Sequence, residues 1–170
     1  MNIANYIREI KDFPKPGIIF KDITPLLNDA DAAAFTTQSL LNISGHLQID
    51  RVVGIESRGF FFAMLLAQEL KAGFVPVRKP GKLPAETISK TYALEYGQDT
   101  LEIHKDAIKS GDKVLVHDDV LATGGTAKAV CDLIEQLGGE VVQCNFIMEI
   151  EALQGREKLK DYNVRCLLHY

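Results

Sequence analysis

Val114-Leu115-Val116-His117-Asp118-Asp119-Val120-Leu121-Ala122-Thr123-Gly124-Gly125-Thr126 reads as a short apolar strand, two adjacent carboxylates and a small-residue turn that opens a helix. That turn suits a phosphate: helix-opening N–H groups have no intrahelical partner, and the positive end of the helix dipole favours an anion. Gly124 and Gly125 permit backbone angles and a close approach that a Cβ would forbid. Thr123 and Thr126 can add hydroxyl hydrogen bonds to the same anion. Just upstream, Asp118 and Asp119 can accept hydrogen bonds from sugar hydroxyls. Asp-Asp or Gly-Gly alone usually marks a solvated loop; the joint pattern suggests a ribose 5-phosphate site. No Gly-Lys-Ser/Thr follows the glycines and no G-x-G-x-x-G is present, which excludes a Walker A loop and a dinucleotide fingerprint.

The flanking sequence alternates strands and helices. Ile3, Tyr6, Ile7 and Ile10 fall at helical spacing and predict an N-terminal helix, stopped by Phe13-Pro14-Lys15-Pro16-Gly17. Ile18 to Pro25 reads either as a loop packed on the core or as a lid whose Phe20 offers an aromatic face. Asn28 or Asp29 caps a helix running to about His46. Arg51 to Ile55 is a buried strand, Glu56-Ser57-Arg58-Gly59 a loop at its C-terminal end, and Phe60 to Leu70 a helix. In open α/β sheets that end of a strand is where ligands bind. The first glycine of Gly54 to Gly59 sits one residue too early for a G-x-S-x-G nucleophile elbow, so serine hydrolysis is rejected.

Phe74 to Arg78 is the next strand, with Pro76 suiting a sheet edge. Lys79 to Glu86 is rich in Pro, Gly and cations, and the polar excursion to about Asp99 suits an active-site lid. Leu101 and Ile103, alternating with charged residues, suggest its second strand. A helix from about Ala127 to Leu137, a strand within Val141 to Ile150, a helical stretch over Glu151 to Lys160 and a last strand from Val164 to Leu168 complete the pattern. Such alternation calls for a mostly parallel sheet with helices on both faces, in a single domain over residues 1–170.

Bulk properties narrow the function. A net charge of −4 argues against nucleic acid as a partner. Three cysteines without C-x-x-C spacing and scattered histidines fit buried thiols in a reducing compartment better than a disulfide frame or a zinc site. The longest apolar run, Phe60 to Ala67, is too short to span a bilayer, and Met1 to Asp12 lacks an apolar signal core, so no membrane role and a cytoplasmic location are expected.

The chain resembles the type I phosphoribosyltransferases, and within them the adenine-specific branch. Besides the phosphate turn, the likeness is carried by Phe13 to Pro25, Glu56-Ser57-Arg58-Gly59-Phe60, Arg78-Lys79-Pro80-Gly81-Lys82-Leu83-Pro84 and Leu94-Glu95-Tyr96-Gly97. It implies the family fold: a mostly parallel central sheet flanked by helices, with a small N-terminal hood over roughly 1–26 and a flexible β flap over roughly 79–105. The implied activity transfers the 5-phosphoribosyl group of phosphoribosyl diphosphate (PRPP) to adenine, giving AMP and pyrophosphate. In it, positive charge grows on the ribose ring while negative charge gathers on the leaving pyrophosphate.

Each requirement then has candidates. Ala122, Thr123, Gly124, Gly125 and Thr126 anchor the 5-phosphate, while Asp118 and Asp119 hold the ribose. Ser57, Arg58, Arg78, Lys79 and Lys82 meet the pyrophosphate. Mg²⁺ is expected to ride on PRPP rather than in a dedicated protein cluster. The resemblance further puts the main chain of Ile19 and Lys21 on the adenine edge, Phe20 and Val120 on its faces, and Glu95 in a catalytic acid/base role on the flap. It also implies a homodimer and a non-proline cis peptide at Glu56-Ser57. Two departures stand out: Pro80 replaces a basic residue found in some relatives, and His117 replaces a strand aliphatic. A transferase for 6-oxopurines would need a side-chain donor after the acidic pair, and Val120-Leu121-Ala122 offers none. A regulator that senses PRPP would be expected to carry a DNA-binding domain, for which this chain has neither length nor charge.

Overall fold

In the computed structural model, which describes residues 1–93 and 97–170, a 3₁₀ turn over Ile3–Tyr6 precedes β1 (Arg8–Lys11), β2 (Ile19–Asp22), α1 (Thr24–Asn28) and α2 (Ala30–Ser44). β3 (Arg51–Ile55), α3 (Gly59–Leu70), β4 (Gly73–Val77), β5 (Thr87–Ala93) and β6 (Gln98–His104) follow. The chain closes with β7 (Lys113–Leu121), α4 (Gly125–Gln136), β8 (Glu140–Glu149), 3₁₀ turns over Glu151–Leu153 and Gly155–Leu159, and β9 (Val164–His169). β4-β3-β7-β8-β9 form a five-stranded sheet, every neighbouring pair parallel.

Buried parallel strands read as apolar runs because both faces are covered. On one face α2 and α3 bring Leu40, Phe62 and Leu66 against Val52 and Leu115. On the other, α4 brings Val130, Leu133 and Ile134 against Val53, Val114 and Val116. Leu101 and Ile103 of β6 are fully buried in this second core, so the antiparallel β5–β6 ribbon is anchored at its base rather than free along its length. β4 is an edge strand, as Pro76 requires.

The N-terminal helix expected from the isoleucine spacing does not form. Asn2 caps one 3₁₀ turn, and β1 then pairs with β2, Ile10 opposite Phe20. Ile3 and Ile7 are buried as the spacing demanded, but a turn followed by a strand buries them equally well. So short a segment gains little from helix formation, and its isoleucines suit a strand.

β3 leads through α3 to β4 on one side, whereas β7 leads through α4 to β8 on the other. The loops after these two central neighbours therefore diverge, opening a crevice at the C-terminal ends of the strands.

Candidate active site

That crevice is a cavity of about 250 Å³. Its walls bring together ten residues singled out from the sequence: Ser57, Arg58, Lys79, Asp118, Asp119, Val120, Ala122, Thr123, Gly124 and Thr126.

The phosphate turn forms because Gly124 takes the left-handed conformation, φ 76°, just before α4 starts at Gly125. A Cβ on Gly124 would also collide with the carbonyl oxygen of Gly155, so both conformation and space demand glycine. Among the described residues no side chain caps α4, which leaves its first-turn N–H groups for an outside acceptor. Gly125 is buried at the helix start, behind the residues that line the cavity.

β7 runs on to Leu121, so Asp118 and Asp119 lie within the strand rather than beyond it, and they face different surroundings. Asp119 is 2% exposed, and its Oδ2 lies 2.9 Å from Arg58 Nε without hydrogen-bond alignment. Asp118 is partly open to the cavity; its Oδ1 accepts the Asp119 N–H at 2.9 Å. Burial raises both carboxyls above their ordinary value. The Asp119 charge raises Asp118 further, whereas Arg58 works against the rise at Asp119. The proton is therefore held more readily on Asp118. Gly59, at the start of α3, permits this proximity: a Cβ there would stand 2.9 Å from Asp118 Oδ1.

His117, one residue earlier on β7, points into the α2–α3 core and is fully buried. Its Nδ1 lies 2.7 Å from Asn145 Oδ1, and Asn145 Nδ2 donates to Ser44 Oγ at 3.2 Å; the His117 Nε2 has no hydrogen-bond partner among the described residues. Desolvation, only partly offset by the Asn145 hydrogen bond, pushes the imidazole down to about 4, so it stays neutral near pH 7.

Sequence reasoning missed Glu56, Tyr92, Asp99 and Phe146 on the cavity wall. Glu56 accepts the Lys79 N–H at 2.8 Å and pairs with Arg78 Nε at 3.2 Å. Burial opposes its ionisation, but these contacts hold the carboxyl below its ordinary value. The peptide bond between Glu56 and Ser57 is cis. Tyr92 and Asp99 are direct partners across the β5–β6 ribbon, and Asp99 forms an ion pair with Lys79 Nζ. The Tyr92 hydroxyl donates to Asp99 Oδ2 at 3.3 Å and accepts from Thr126 Oγ1 at 3.1 Å. An isolated Tyr or Asp carries no motif; the alternation of the ribbon was the only available signal.

Arg78, Lys82, Ile19, Phe20 and Lys21 stand outside the cavity wall. Arg78 is tied to Glu56 and lies over the Phe60 ring, its Cζ 5.9 Å from the centroid; Lys82 is exposed. Ile19 is exposed on β2. Phe20 is half-buried, with the Arg58 guanidinium 4.8 Å above its ring and Phe13 edge-on at 5.2 Å. The Lys21 side chain is spent on Glu9 and on the Tyr170 ring, 3.6 Å from its centroid. Glu95 lies outside the described residues.

The chain is similar over its length to known proteins. The family model described as "Phosphoribosyl transferase domain" matches residues 24–169. Adenine phosphoribosyltransferase of Flavobacterium johnsoniae is 65% identical over 170 residues, covering 100% of both chains. The crystal structure of the Thermoanaerobacter pseudethanolicus adenine phosphoribosyltransferase superimposes with a TM-score of 0.97 at 51% identity, covering 99% of this chain and 98% of that one. The Saccharomyces cerevisiae enzyme, complexed with an imino-altritol bisphosphate and adenine, gives 0.89 at 41% identity, covering 97% and 96%. The chain belongs to the phosphoribosyltransferases and, within them, to the adenine phosphoribosyltransferase family.

Proposed function

We propose that this chain transfers the 5-phosphoribosyl group of PRPP to adenine, releasing AMP and pyrophosphate as a purine-salvage step. One observation carries the reading. A helix start with no side-chain cap, the adjacent carboxylates Asp118 and Asp119, and two cations, Arg58 and Lys79, share one cavity at the strand switch point. A phosphorylated sugar carrying a diphosphate needs those three groups together.

In this reading the N–H groups at the start of α4 and the Thr123 and Thr126 hydroxyls hold the 5-phosphate. Asp118 and Asp119 accept from the ribose hydroxyls and lay negative charge beside the ring as it becomes oxocarbenium-like. A ring nitrogen of adenine bonds to C1 of the ribose as the C1–oxygen bond breaks, and the pyrophosphate carries off the electron pair. Ser57, Arg58 and Lys79 receive it, with Arg78 and Lys82 reaching it from the adjoining loop. Main-chain groups of Ile19 and Lys21 read the adenine edge, which fits the engagement of the Lys21 side chain elsewhere. Phe20 and Val120 flank the base, and Glu95 manages the proton it loses.

Mg²⁺ is assigned to the substrate. Glu56 and Asp119 are already faced by cations of the protein. Mg²⁺ commonly binds through substrate phosphates, and bound there it would help neutralise the leaving group that Arg58 and Lys79 face.

A homodimer is supported by Phe61, Met64 and Leu65, an apolar stripe at helical spacing on α3 that is 48%, 50% and 40% exposed. A cytoplasmic location is supported by three unbonded cysteines. No helix among the described residues is long and apolar enough to cross a membrane.

The test incubates the protein with PRPP, Mg²⁺ and one nucleobase at a time. AMP should form from adenine, with no nucleotide from hypoxanthine or guanine; the reverse preference would overturn the assignment. Light scattering should report a dimer, and Met64→Asp should shift it to monomer.

A further inference from the structure

Both cations on the cavity wall already face a carboxylate of the protein: Arg58 meets Asp119, and Lys79 meets Asp99. The two carboxylates differ in origin. Asp119 belongs to the central sheet and stands where the ribose is assigned, whereas Asp99 comes from the β5–β6 ribbon and has no role in the proposed chemistry. Its surroundings are nonetheless organised. Tyr92, its partner across the ribbon, donates to Asp99 Oδ2 at 3.3 Å, and Thr126 of the phosphate turn donates to the Tyr92 hydroxyl at 3.1 Å. One chain of contacts, Lys79–Asp99–Tyr92–Thr126, therefore crosses the cavity from the pyrophosphate side to the 5-phosphate side. Burial works against the Asp99 charge, yet the Lys79 ammonium and the Thr100 N–H hold the carboxyl below its ordinary value.

We propose that Asp99 is an internal stand-in for the leaving group, a ribbon carboxylate that occupies Lys79 until a diphosphate displaces it. This deepens the reading given under Proposed function and rests on its pyrophosphate site. The reason is competition for one ammonium. A partly buried lysine serves a single anion at close range, and like charges brought together there repel. An entering diphosphate, richer in charge and carrying Mg²⁺, takes Lys79, and the Asp99 side chain must turn away while Leu101, two residues on, keeps the strand in the core. When pyrophosphate departs, Asp99 returns and closes the site to its rebinding. The residue is thus a positioning group: it sets how tightly the enzyme holds PRPP and pyrophosphate by competing with them for Lys79.

The experiment compares wild type, Asp99→Asn and Asp99→Glu by calorimetric titration with Mg²⁺–pyrophosphate and, separately, with ribose 5-phosphate. Removing the charge should tighten pyrophosphate by about three- to tenfold. Ribose 5-phosphate, which does not reach Lys79, should change less than about twofold. Asp99→Glu should return pyrophosphate affinity towards the wild-type value. In turnover, Asp99→Asn should lower KM for PRPP together with kcat, because pyrophosphate leaves more slowly. An Asp99→Asn protein that is folded by circular dichroism but binds pyrophosphate as weakly as wild type, or more weakly, overturns the proposal. If wild type itself does not bind pyrophosphate, the assigned pyrophosphate site falls, and this proposal with it.

Discussion

Nε of Arg58 stands 2.9 Å from Oδ2 of Asp119 while the same guanidinium lies 4.8 Å above the ring of Phe20. One side chain thus joins the acidic pair of β7 to the aromatic residue of β2. Arg58→Ala should leave a 2%-exposed carboxylate without its cation and raise KM for PRPP about 10- to 100-fold. Arg58→Lys should recover only part of this, because a lysine cannot reach Asp119 and lie flat on Phe20 at once. Steady-state kinetics with varied PRPP is the check; full rescue by lysine would deny the bridging role.

Asp118 holds its charge at a cost to the fold. Its carboxyl is raised by burial and by Asp119, so ionisation above its ordinary range destabilises the native state. Asp118→Asn keeps the oxygen that accepts the Asp119 N–H but removes the charge. Its Tm at pH 7.5 should rise by about 2–6 °C, and the gain should shrink as the pH falls and the native carboxyl takes up its proton. Turnover should fall at least tenfold, since a charged acceptor for the ribose is lost. A variant less stable than wild type at pH 7.5 would contradict this.

His117 gives the fold a second pH dependence. Its folded value of about 4 lies below the 6.5 of the unfolded chain, so between these limits the unfolded state binds more protons. Stability is whole above pH 6.5 and falls as pH drops towards 4, by about 2–3 kcal/mol at pH 4.5. His117→Val should abolish that part of the slope. Urea midpoints for both proteins at pH 7.5 and 4.5 supply the measurement, and parallel losses in the two would exclude His117 as the cause.

Gly124 should tolerate no side chain. Gly124→Ala forces φ 76° on a residue with a Cβ and drives that atom into the Gly155 carbonyl. A loss of about 2–4 kcal/mol in stability should accompany loss of ribose 5-phosphate binding. A stable variant that still binds would show that the turn can rebuild elsewhere.

Glu95→Ala should lower turnover more than PRPP binding if Glu95 handles the base's proton. Single-turnover kinetics set beside equilibrium binding separates the two, and lost binding with intact chemistry would reassign the residue.

The central sheet was legible because β3, β7 and β8 are apolar runs closed by turn signals, and Pro76 marked the edge. The phosphate turn was legible because glycine, threonine and a helix start each have a physical reason to stand there. The N-terminus was misread because Ile3 and Ile7 satisfy two periodicities at once, and only the pairing of β1 with β2 decides between them. Asp99 and Tyr92 were invisible for a different reason. Their meaning lies in a ribbon folding back over a turn that follows it by about thirty residues, and no local pattern encodes that return.

The contact between Gly124 and Gly155 has a consequence for recombination among relatives. The anion-holding turn is not a portable loop: its shape is pressed from behind by residues contributed after β8, with the Ala122 carbonyl against Gly155 in turn. A chimaera whose crossover falls between residues 126 and 155 joins two halves of one mould. Such hybrids should hold the sugar phosphate only where the second parent also supplies glycine at 155, whereas crossovers placed before Lys113 should carry the site intact.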